Sequence, residues 1–443
     1  MFWFNKYFYK GEKPMKKFLA MTLALCMVFA LCAASYADDV TTIEFWYHDG
    51  NDVSNAYWNN IIANFEAAYP QYKVNYTPLP ADSYMNKYIT AVATGTGPDV
   101  LDLRDTDMAT MIGLGCLEEM TDYIASYEES SYYVEAALDV AKSHAYDGKL
   151  YCLPLYWTTN ICWANTQLMG EKGVEIPHTI ADLLADCEKY ADPANNSFFF
   201  SLRGGSGSTE NLFDFIFSYA GVDHLFEEDG TCVLSNPKFA EAFDKYASIY
   251  WNGWTSPDAL TNGFTEMVAE FGSGTAMFIM HNSSSLGQHK ANLGDGNFTN
   301  VKPLAGEDGM IVTKALSYVG LTMLNASQKK EAAAKFIEFA TNHESLEEIC
   351  ASEGRIPANS LVHESEWYKS DPINAVYTEM TEDPNIHYLT YPFWLTMFSD
   401  FQSNYIYPGL QAVLMKDRTS EEVLNEWAEI LTEAQQEYLA TLS

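Results

Sequence analysis

Basic residues are scarce in this chain of 443 residues. Lysine and arginine together number 25, against 60 aspartates and glutamates, which gives a formal net charge of −35 at pH 7. A surface with this excess of negative charge repels phosphate backbones and anionic lipid headgroups. We therefore expect no nucleic acid among the partners of the protein, and we attribute the acidity to solubility.

Sequence motifs for several classes of enzyme are also missing. The chain has no GxxxxGK[ST] phosphate loop, no GxGxxG after a strand and no HExxH zinc motif. Residues 204–208 come nearest to a GxSxG nucleophile elbow, but their register is wrong. A calcium loop at Asp102, Asp105 and Asp107 would lack its glycine and distal glutamate. We therefore expect no enzyme, no cofactor and no metal, although a glycosidase pair of carboxylates would be hidden among so many acids.

The cysteines show neither a redox nor a metal-binding pattern, because no two of the eight are spaced as CxxC. Six of them lie beyond the apolar N-terminal segment: Cys116, Cys152, Cys162, Cys187, Cys232 and Cys350. An even number in an exported chain permits disulfides. Buried free thiols are also common in apolar strands such as those of Cys152 and Cys162. The sequence leaves both alternatives open.

The N-terminal segment, residues 1–37, has the pattern of an export signal. Lys16 and Lys17 precede an apolar run over residues 18–34, and small residues then lead to Ala37. This pattern predicts cleavage after Ala37, with Met15 as a better start than the first residue. Cleavage removes five lysines and one glutamate and leaves 20 basic and 59 acidic residues, a net charge of −39. We expect an exported, soluble mature chain, because no other stretch approaches 18 apolar residues.

Cys32 raises the question of a lipid anchor. A lipobox has a small residue directly before its cysteine, whereas Leu31 occupies that place here. We expect a periplasmic or cell-surface location, with anchoring through Cys32 as an open alternative.

Alternating strands and helices predict an α/β fold. A strand at residues 43–47 is followed by an amphipathic helix that ends at Pro70, a strand at 72–76, a helix at about 83–93 and a buried strand at 99–103. This order is typical of a largely parallel sheet. The alternation returns downstream, with strands at 198–202 and 276–280, a helix at 209–219, a helical pair at 328–350 and a long C-terminal helix at 420–442. The length predicts two lobes.

Polar residues follow four of the predicted strands. Because ligands of open α/β sheets bind beyond the carboxyl ends of strands, these residues are candidates for a binding site: His48 and Asp49, Arg104 and Asp105, Arg203 and Gly204, and His281 and Asn282. The loop at 203–208 could bind an anion at the start of the following helix, or its glycines could serve backbone geometry alone.

Four segments, taken in order, resemble the motif series of bacterial extracellular solute-binding proteins. The segments are ITAVATGTGPDVLDL (89–103), the stretch from YDGKLYCLPLYWTTNICWANTQLMG to ADLLADCEKY (146–190), FGSGTAMFIMHN (271–282) and LNASQKKEAAAKFIEFATNHESLEEI (324–349). The family supplies the sugar-binding components of ABC importers and includes maltose-binding-protein-like chains. The resemblance covers essentially the whole mature chain.

The resemblance implies two α/β lobes that are joined by a hinge and close on a ligand in the cleft between them. It places residues 38–148 and 315–358 in the first lobe and residues 149–314 and 359–443 in the second. It also implies ligand contacts near the first strand from Trp46 and Tyr47, in addition to His48 and Asp49, and near the second hinge crossing from Tyr318.

In the segment LPLYWTTNICWAN the resemblance places Tyr156, Trp157 and Thr158 at the floor of the cleft and makes Trp163 structural. It makes Trp394 the candidate for stacking on a sugar ring, because YPFWLTMF resembles the family's C-terminal stacking stretch. The strand at 276–280 departs from the family pattern, since His281 and Asn282 stand where a glycine and a stacking tryptophan are usual.

The resemblance implies a monomeric protein that binds a carbohydrate and delivers it to the membrane permease of an ABC importer. A same-fold binding protein for a polyamine, a peptide or a phosphorylated polyol is an alternative, and Arg104 with Arg203 would suit a phosphate. An exported glycan-active enzyme is the third alternative.

Overall fold

The computed structural model describes residues 40–80, 83–145, 147–315 and 317–442. The predicted export signal, its cleavage site and Cys32 lie outside the described residues. The strands are β1 (Thr41–Tyr47), β2 (Tyr72–Pro78), β3 (Val100–Arg104), β4 (Leu153–Thr158), β5 (Asn160–Ala164), β6 (Phe198–Phe200), β7 (Ala276–Asn282), β8 (Thr299–Val301), β9 (Ile311–Lys314), β10 (Ser317–Met323), β11 (Ile356–Pro357) and β12 (Ile386–Leu389).

The helices of the first half are α1 (Asp52–Ala68), α2 (Tyr84–Thr94), α3 (Asp105–Gly113), α4 (Thr121–Ser126), α5 (Glu135–Ser143), α6 (Thr166–Lys172), α7 (Ile180–Tyr190) and α8 (Ser208–Ala220). Those of the second half are α9 (Pro237–Trp251), α10 (Phe264–Gly272), α11 (Leu286–Leu293), α12 (Lys330–Ala340), α13 (His343–Glu353), α14 (Glu366–Ser370), α15 (Pro372–Glu382), α16 (Phe398–Phe401), α17 (Tyr407–Leu414) and α18 (Ser420–Leu442). None of the helices in these ranges combines the length and the apolar character needed to cross a membrane.

The first lobe is built on a six-stranded sheet with the order β11-β4-β10-β3-β1-β2. Strand β1 runs parallel to β2 and β3, whereas β10 runs antiparallel to β3 and β4. Ile43, Phe45 and Tyr47 are buried in alternation along β1, because successive side chains of a strand point to opposite faces. The ring of Phe45 lies 4.7 Å from that of Trp58 in α1 and 5.2 Å from that of Phe336 in α12, so both helices pack on one face of the sheet.

The second lobe is built on a four-stranded sheet with the order β6-β7-β5-β8, and β9 pairs in parallel with β12 beside it. Helix α8 is buried on nearly every side and packs against α9 and β9. The phenylalanines of α8 lie in the core of the second lobe, and its buried polar residues Asn211 and Asp214 are hydrogen-bonded there. The two-lobed α/β fold that the sequence predicts is confirmed.

The chain passes from the first sheet to the second at Thr159, between β4 and β5, and returns between Lys314 at the end of β9 and Ser317 at the start of β10. The predicted boundary after residue 148 lies before β4, yet β4 pairs with β10 and β11 in the first sheet. The segment after β11 contacts both lobes, since the ring of Tyr377 lies 6.5 Å from that of Trp157 in β4 and the side-chain amide of Asn300 in β8 donates to the carbonyl of Ile373 at 2.9 Å. Its place in the second lobe stays a prediction.

All six cysteines within the described residues are buried and free, so the disulfide alternative is wrong for this structure. Desolvation by burial raises the pKa of the Cys232 thiol to about 12. A thiol with so high a pKa stays protonated and is a poor nucleophile. The cysteines therefore act as small apolar core residues.

Candidate functional site

A cavity of about 330 Å³ opens where the carboxyl ends of β1 and β3 meet the hinge ends of β4 and β10. Its lining includes seven of the predicted site residues: His48, Asp49, Arg104, Asp105, Tyr156, Thr158 and Tyr318. Ser317, Val319 and Arg355 complete the lining. Strand ends that are distant in sequence are thus brought to one place, as the α/β rule predicts.

His48 is held from below by the buried carboxylate of Asp102 in β3. The backbone N–H of His48 donates to Asp102 Oδ1 at 2.8 Å, and its ring Nδ1 contacts Asp102 Oδ2. The hydroxyl of Tyr88 donates to the same carboxylate at 2.9 Å. Burial alone would lower the pKa of His48, but Asp102 outweighs burial and raises the pKa. Because Nδ1 is engaged, Nε2 is the ring nitrogen that remains for a ligand.

Arg104 and Tyr84 form a layered wall beside His48. The Arg104 guanidinium carbon lies 5.1 Å from the centroid of the Tyr84 ring, and the ring of His48 lies at the same distance on Tyr84. The Tyr84 hydroxyl donates to Asp107, whose pKa is raised chiefly by burial. Stacking on an aromatic face orients a guanidinium without using its donors. The wall therefore presents Arg104 to the cavity in a defined orientation.

Arg355 lines the cavity and is not among the residues predicted from the sequence. Its guanidinium carbon lies 5.4 Å from the centroid of the Tyr156 ring, and its Nε donates to Glu353 at 3.3 Å. Burial lowers the pKa of Arg355, but Tyr156 and Glu353 outweigh burial and leave the pKa raised. The chain contains four arginines, and this one stands between the end of α13 and the two-residue strand β11. The rarity of arginine was a signal that could have identified it.

Tyr47 and Trp157 belong to the core and not to the cavity wall. Tyr47 is 1% exposed, and its hydroxyl lies 2.9 Å from that of Tyr57. Trp157 is fully buried with its ring 6.5 Å from that of Tyr377, on the face of β4 opposite to Tyr156 and Thr158. The alternation of the strand thus decides which of its residues reach the cavity.

Trp46 and Trp163 also contact protein groups. The ring of Trp46 stacks 6.3 Å from Tyr88, and the ammonium group of Lys87 lies 4.5 Å from its centroid. Trp163 is fully buried, with its ring 4.7 Å from that of His289. Neither tryptophan is among the cavity-lining residues.

The second-lobe candidates Arg203 and Gly204 lie in a closely packed loop. Arg203 is buried and donates from Nε to the carbonyl of Ser206 at 2.7 Å. Gly204 approaches the chain at residues 259–260 so closely that a Cβ there would lie 2.6 Å from the carbonyl oxygen of Ala259. The glycine at this position thus permits a close backbone approach.

His281 and Asn282 are likewise engaged within the second lobe. His281 Nδ1 lies 3.1 Å from the Ser285 hydroxyl, and its ring lies 4.7 Å from that of Phe264. Burial and the charge of Arg203 lower the pKa of His281 to about 4, so this histidine is neutral at pH 7. The Asn282 side chain accepts the backbone N–H of Ser284 at 3.1 Å.

Trp394 packs on the C-terminal helix. Its indole N–H donates to Gln435 at 2.8 Å, and its ring lies 6.4 Å from that of Tyr438, both in α18. The five residues Arg203, Gly204, His281, Asn282 and Trp394 are therefore not among those that line the cavity.

A larger cavity, of about 570 Å³, lies at the opposite edge of the first sheet, where α12 begins. Its two lysines are neutralised, since Lys329 pairs with Asp99 at 2.9 Å and Lys330 with Glu118 at 2.6 Å. Size alone does not identify a binding site, and the smaller cavity combines aromatic faces with convergent charged groups. Across the described ranges, no cluster of histidine, cysteine and carboxylate side chains could hold a metal ion.

The chain is similar in sequence to bacterial binding proteins. A binding protein of Brucella abortus strain 2308 is 24% identical over 378 residues, which cover 83% of this chain and 88% of the relative. The Escherichia coli K12 ABC transporter periplasmic-binding protein YcjN is 25% identical over 367 residues, which cover 81% of this chain and 82% of the relative.

Solved structures share the fold. The sugar-binding protein MalE of Xanthomonas citri superposes with a TM-score of 0.75 at 20% identity, and the match covers 91% of this chain and 99% of that one. A solute-binding protein of Thermotoga lettingae in complex with α-D-tagatose gives a TM-score of 0.70 at 21% identity, covering 89% and 100%. Residues 60–376 match the family described as bacterial extracellular solute-binding protein. With most of its length matched, this chain belongs to the bacterial extracellular solute-binding protein family.

Proposed function

We propose that this protein is the extracytoplasmic binding component of an ABC importer and that it binds a carbohydrate in the 330 Å³ cavity. The observation that carries the proposal is the combination of tyrosine faces with charged planar groups in one lining. Sugar rings present C–H faces that pack on aromatic rings and hydroxyls that bond to carboxylates, guanidinium groups and imidazoles. Binding of this kind involves no chemical step.

Tyr318 lines the cavity from behind. It pairs with Trp157 across β10 and β4, so its side chain lies on the buried face of the sheet. Its hydroxyl is buried and has no hydrogen-bond partner among the residues that the structure describes. We infer that Tyr318 supports the cavity wall and that its hydroxyl does not bond to the ligand.

The names of relatives agree with a carbohydrate. One is the maltotriose-binding protein of Pyrococcus abyssi, 25% identical over 296 residues, and another is the diacetylchitobiose-binding protein DasA of Streptomyces coelicolor, 23% identical over 219 residues. We extend the carbohydrate class to this chain, and not the individual sugar. Export, a periplasmic or cell-surface location, a monomeric state and delivery to a membrane permease are parts of the same proposal, with anchoring through Cys32 as an option within it.

The inferred contacts are six of the seven predicted lining residues, all except Tyr318, together with Arg355. We place Tyr47, Trp157 and Trp394 outside the contact set, because their rings pack on protein groups. Arg203, Gly204, His281 and Asn282 belong to the lobe that would approach on closure, and contact with the ligand from there would require that closure.

A thermal-shift screen of the chain from Asp38 tests the proposal, with neutral oligosaccharides, polyamines, peptides and sugar phosphates as ligands. A ligand at a hundred times its Kd should add about 2.7 kcal/mol of stability. We expect a shift with a neutral oligosaccharide that mass spectrometry finds intact afterwards. The variant Asp105→Asn should lose the shift, whereas Asp122→Asn, which removes an exposed acid of α4, should keep it. A shift with polyamines or phosphates alone would overturn the carbohydrate assignment.

A further inference from the structure

A buried aspartate in the middle of α8 contacts both chain crossings between the lobes. Asp214 Oδ2 accepts the side-chain amide of Asn160 at 3.0 Å and the hydroxyl of Thr313 at 2.9 Å. Its Oδ1 accepts the backbone N–H of Lys314 at 2.8 Å. One carboxylate thus holds three donors that come from two separate segments of the chain.

The three donors lie beside the points where the chain crosses between the two sheets. Asn160 is the first residue of β5, directly after the chain has left the first sheet. Thr313 and Lys314 are the last residues of β9, directly before the chain returns to the first sheet as β10. The two crossings also touch each other, since the Thr158 hydroxyl lies 3.5 Å from the carbonyl of Ser317. Asp214 therefore fixes both crossings on their second-lobe side.

A second acid on the same face of α8 extends the connection into the first lobe. Glu210 lies one helical turn before Asp214 and accepts Lys314 Nζ at 2.8 Å. The same ammonium group donates to the Ser317 hydroxyl at 2.9 Å, on the first residue of β10. Burial lowers the pKa of Lys314. The charges of Glu210 and, more weakly, of Asp105 in the cavity wall outweigh burial and leave the pKa raised.

From this geometry we infer that Asp214 is a positioning residue of the hinge, which sets the relative orientation of the two lobes by clamping both crossings to α8. A carboxylate inside a core costs free energy unless it is hydrogen-bonded, and burial raises the pKa of Asp214 to about 7 in spite of its three donors. An apolar residue would fill the space at lower cost, but it could not define the positions of Asn160, Thr313 and Lys314. This role goes beyond ligand binding and does not depend on which ligand the cavity accepts.

A matched control lies at the base of the first lobe, far from either crossing in the sheet. Asp99 is buried like Asp214 and also holds three donors: the backbone N–H of Glu44 at 2.9 Å, the hydroxyl of Ser327 at 2.7 Å and Lys329 Nζ at 2.9 Å. Replacing either aspartate by alanine removes comparable bonds. A loss of stability alone would affect both variants, whereas a change of lobe orientation should follow only from Asp214.

The experiment measures lobe orientation without any ligand. Spin labels are placed on the chain from Asp38 at Thr90→Cys in α2 and Lys245→Cys in α9, both of which are exposed positions, while the six native thiols of that chain are buried. Double electron–electron resonance then gives the distance distribution between the lobes. We expect Asp214→Ala to shift or broaden this distribution relative to the parent chain and Asp99→Ala to leave it unchanged. Asp214→Asn should give a distribution between those of the parent chain and Asp214→Ala, because an amide keeps the oxygen that accepts the Lys314 N–H but places an NH₂ group against the Asn160 amide.

An unchanged distribution in folded Asp214→Ala, or equal changes in both alanine variants, would overturn the inference. If Asp214→Ala does not fold, Thr313→Val replaces it under the same criterion, since this change removes one donor and nearly conserves volume. The distance measurement uses no sugar, so a negative result would not affect the carbohydrate proposal. A negative thermal-shift screen would likewise not affect the inference about Asp214.

Discussion

The two groups of polar residues at strand ends have the same origin in the sequence and different surroundings in the structure. His48, Asp49, Arg104 and Asp105 line an open cavity in the first lobe. Arg203, Gly204, His281 and Asn282 are engaged by their own lobe, where Arg203 bonds to Ser206 and Gly204 packs against the chain at residues 259–260. A place after a strand thus predicts which residues come together, but neighbouring loops decide whether the space among them stays open.

The histidines of the two groups show the same contrast in their charge. His48 stands over the carboxylate of Asp102, which outweighs burial and raises its pKa. His281 is buried beside Arg203, and its pKa is lowered to about 4. The first histidine therefore favours the imidazolium form and the second is neutral. From residue type alone, the two histidines would be expected to have the same pKa.

The largest effect is expected from removing the support of His48. Asp102→Ala removes the carboxylate that keeps the buried His48 ring charged, so the ring must lose its proton or stay charged without a partner, and it also frees the Tyr88 hydroxyl. Breaking a buried charged pair costs about 3–5 kcal/mol. Ser285→Ala is the matching change in the second group and removes a neutral bond to His281, which costs about 1 kcal/mol. Urea unfolding at pH 6 measures both variants, and equal losses would contradict the difference in charge.

The second effect is a pH dependence of opposite sign at the two histidines. The pKa of His281 is lowered in the folded state from about 6.5, so its contribution is present above pH 6.5 and is lost as the pH falls through about 4. That shift corresponds to about 3 kcal/mol. The contribution of His48, whose folded pKa is raised, is present below pH 6.5 and is lost as the pH rises through the raised value.

Urea unfolding at pH 4 to 8 separates the two contributions when the parent chain is compared with His281→Gln and with His48→Gln. The difference between parent and His281→Gln should shrink towards acid, because the contribution of His281 is lost as the pH falls through about 4. The difference between parent and His48→Gln should shrink towards alkali. Curves that stay parallel over the whole range would show that neither histidine titrates as the geometry implies.

The sequence predicts the elements of the fold well, because burial leaves a clear pattern in them. The alternation of β1 places Phe45 in the core, and the helix that ends before Pro70 ends at Ala68 in the structure. Tyr156 and Thr158 reach the cavity, as the resemblance implies, and the alternation of β4 separates them from Trp157.

Whether the remaining candidates line the cavity depends on contacts between residues distant in sequence, which a local sequence pattern does not show. Arg355 lies beside β11, a strand of two residues that is too short to show a period. Trp394 resembles a ring-stacking residue in its local sequence, yet its indole bonds to Gln435, 41 positions later. The cysteines were undecided because the distance between two thiols in space cannot be read from their separation along the chain.

An intermediate effect is expected at Gly204, where close packing distinguishes the second group from the first. In Gly204→Ala the new Cβ would lie 2.6 Å from one backbone oxygen and 2.7 Å from another, and overpacking of this kind costs about 1–3 kcal/mol. Gly287→Ala in α11 is the control, because nothing lies within 4 Å of its Cβ position and alanine favours a helix. Thermal unfolding should show a loss for the first variant and none for the second.

The smallest effects separate packing from binding at two aromatic residues. Trp394→Phe removes the bond to Gln435 and should cost about 1 kcal/mol of stability, while the shift produced by an oligosaccharide stays as in the parent chain. Tyr318→Phe removes a buried hydroxyl that lacks a partner among the described residues and is closed off from the cavity, so the unliganded protein should be at least as stable and the ligand-induced shift should stay as in the parent chain. The opposite result is a Trp394→Phe variant with unchanged unliganded stability and a smaller oligosaccharide-induced shift. It would show that the Trp394 indole leaves its contacts with α18 and packs on the sugar when the lobes close.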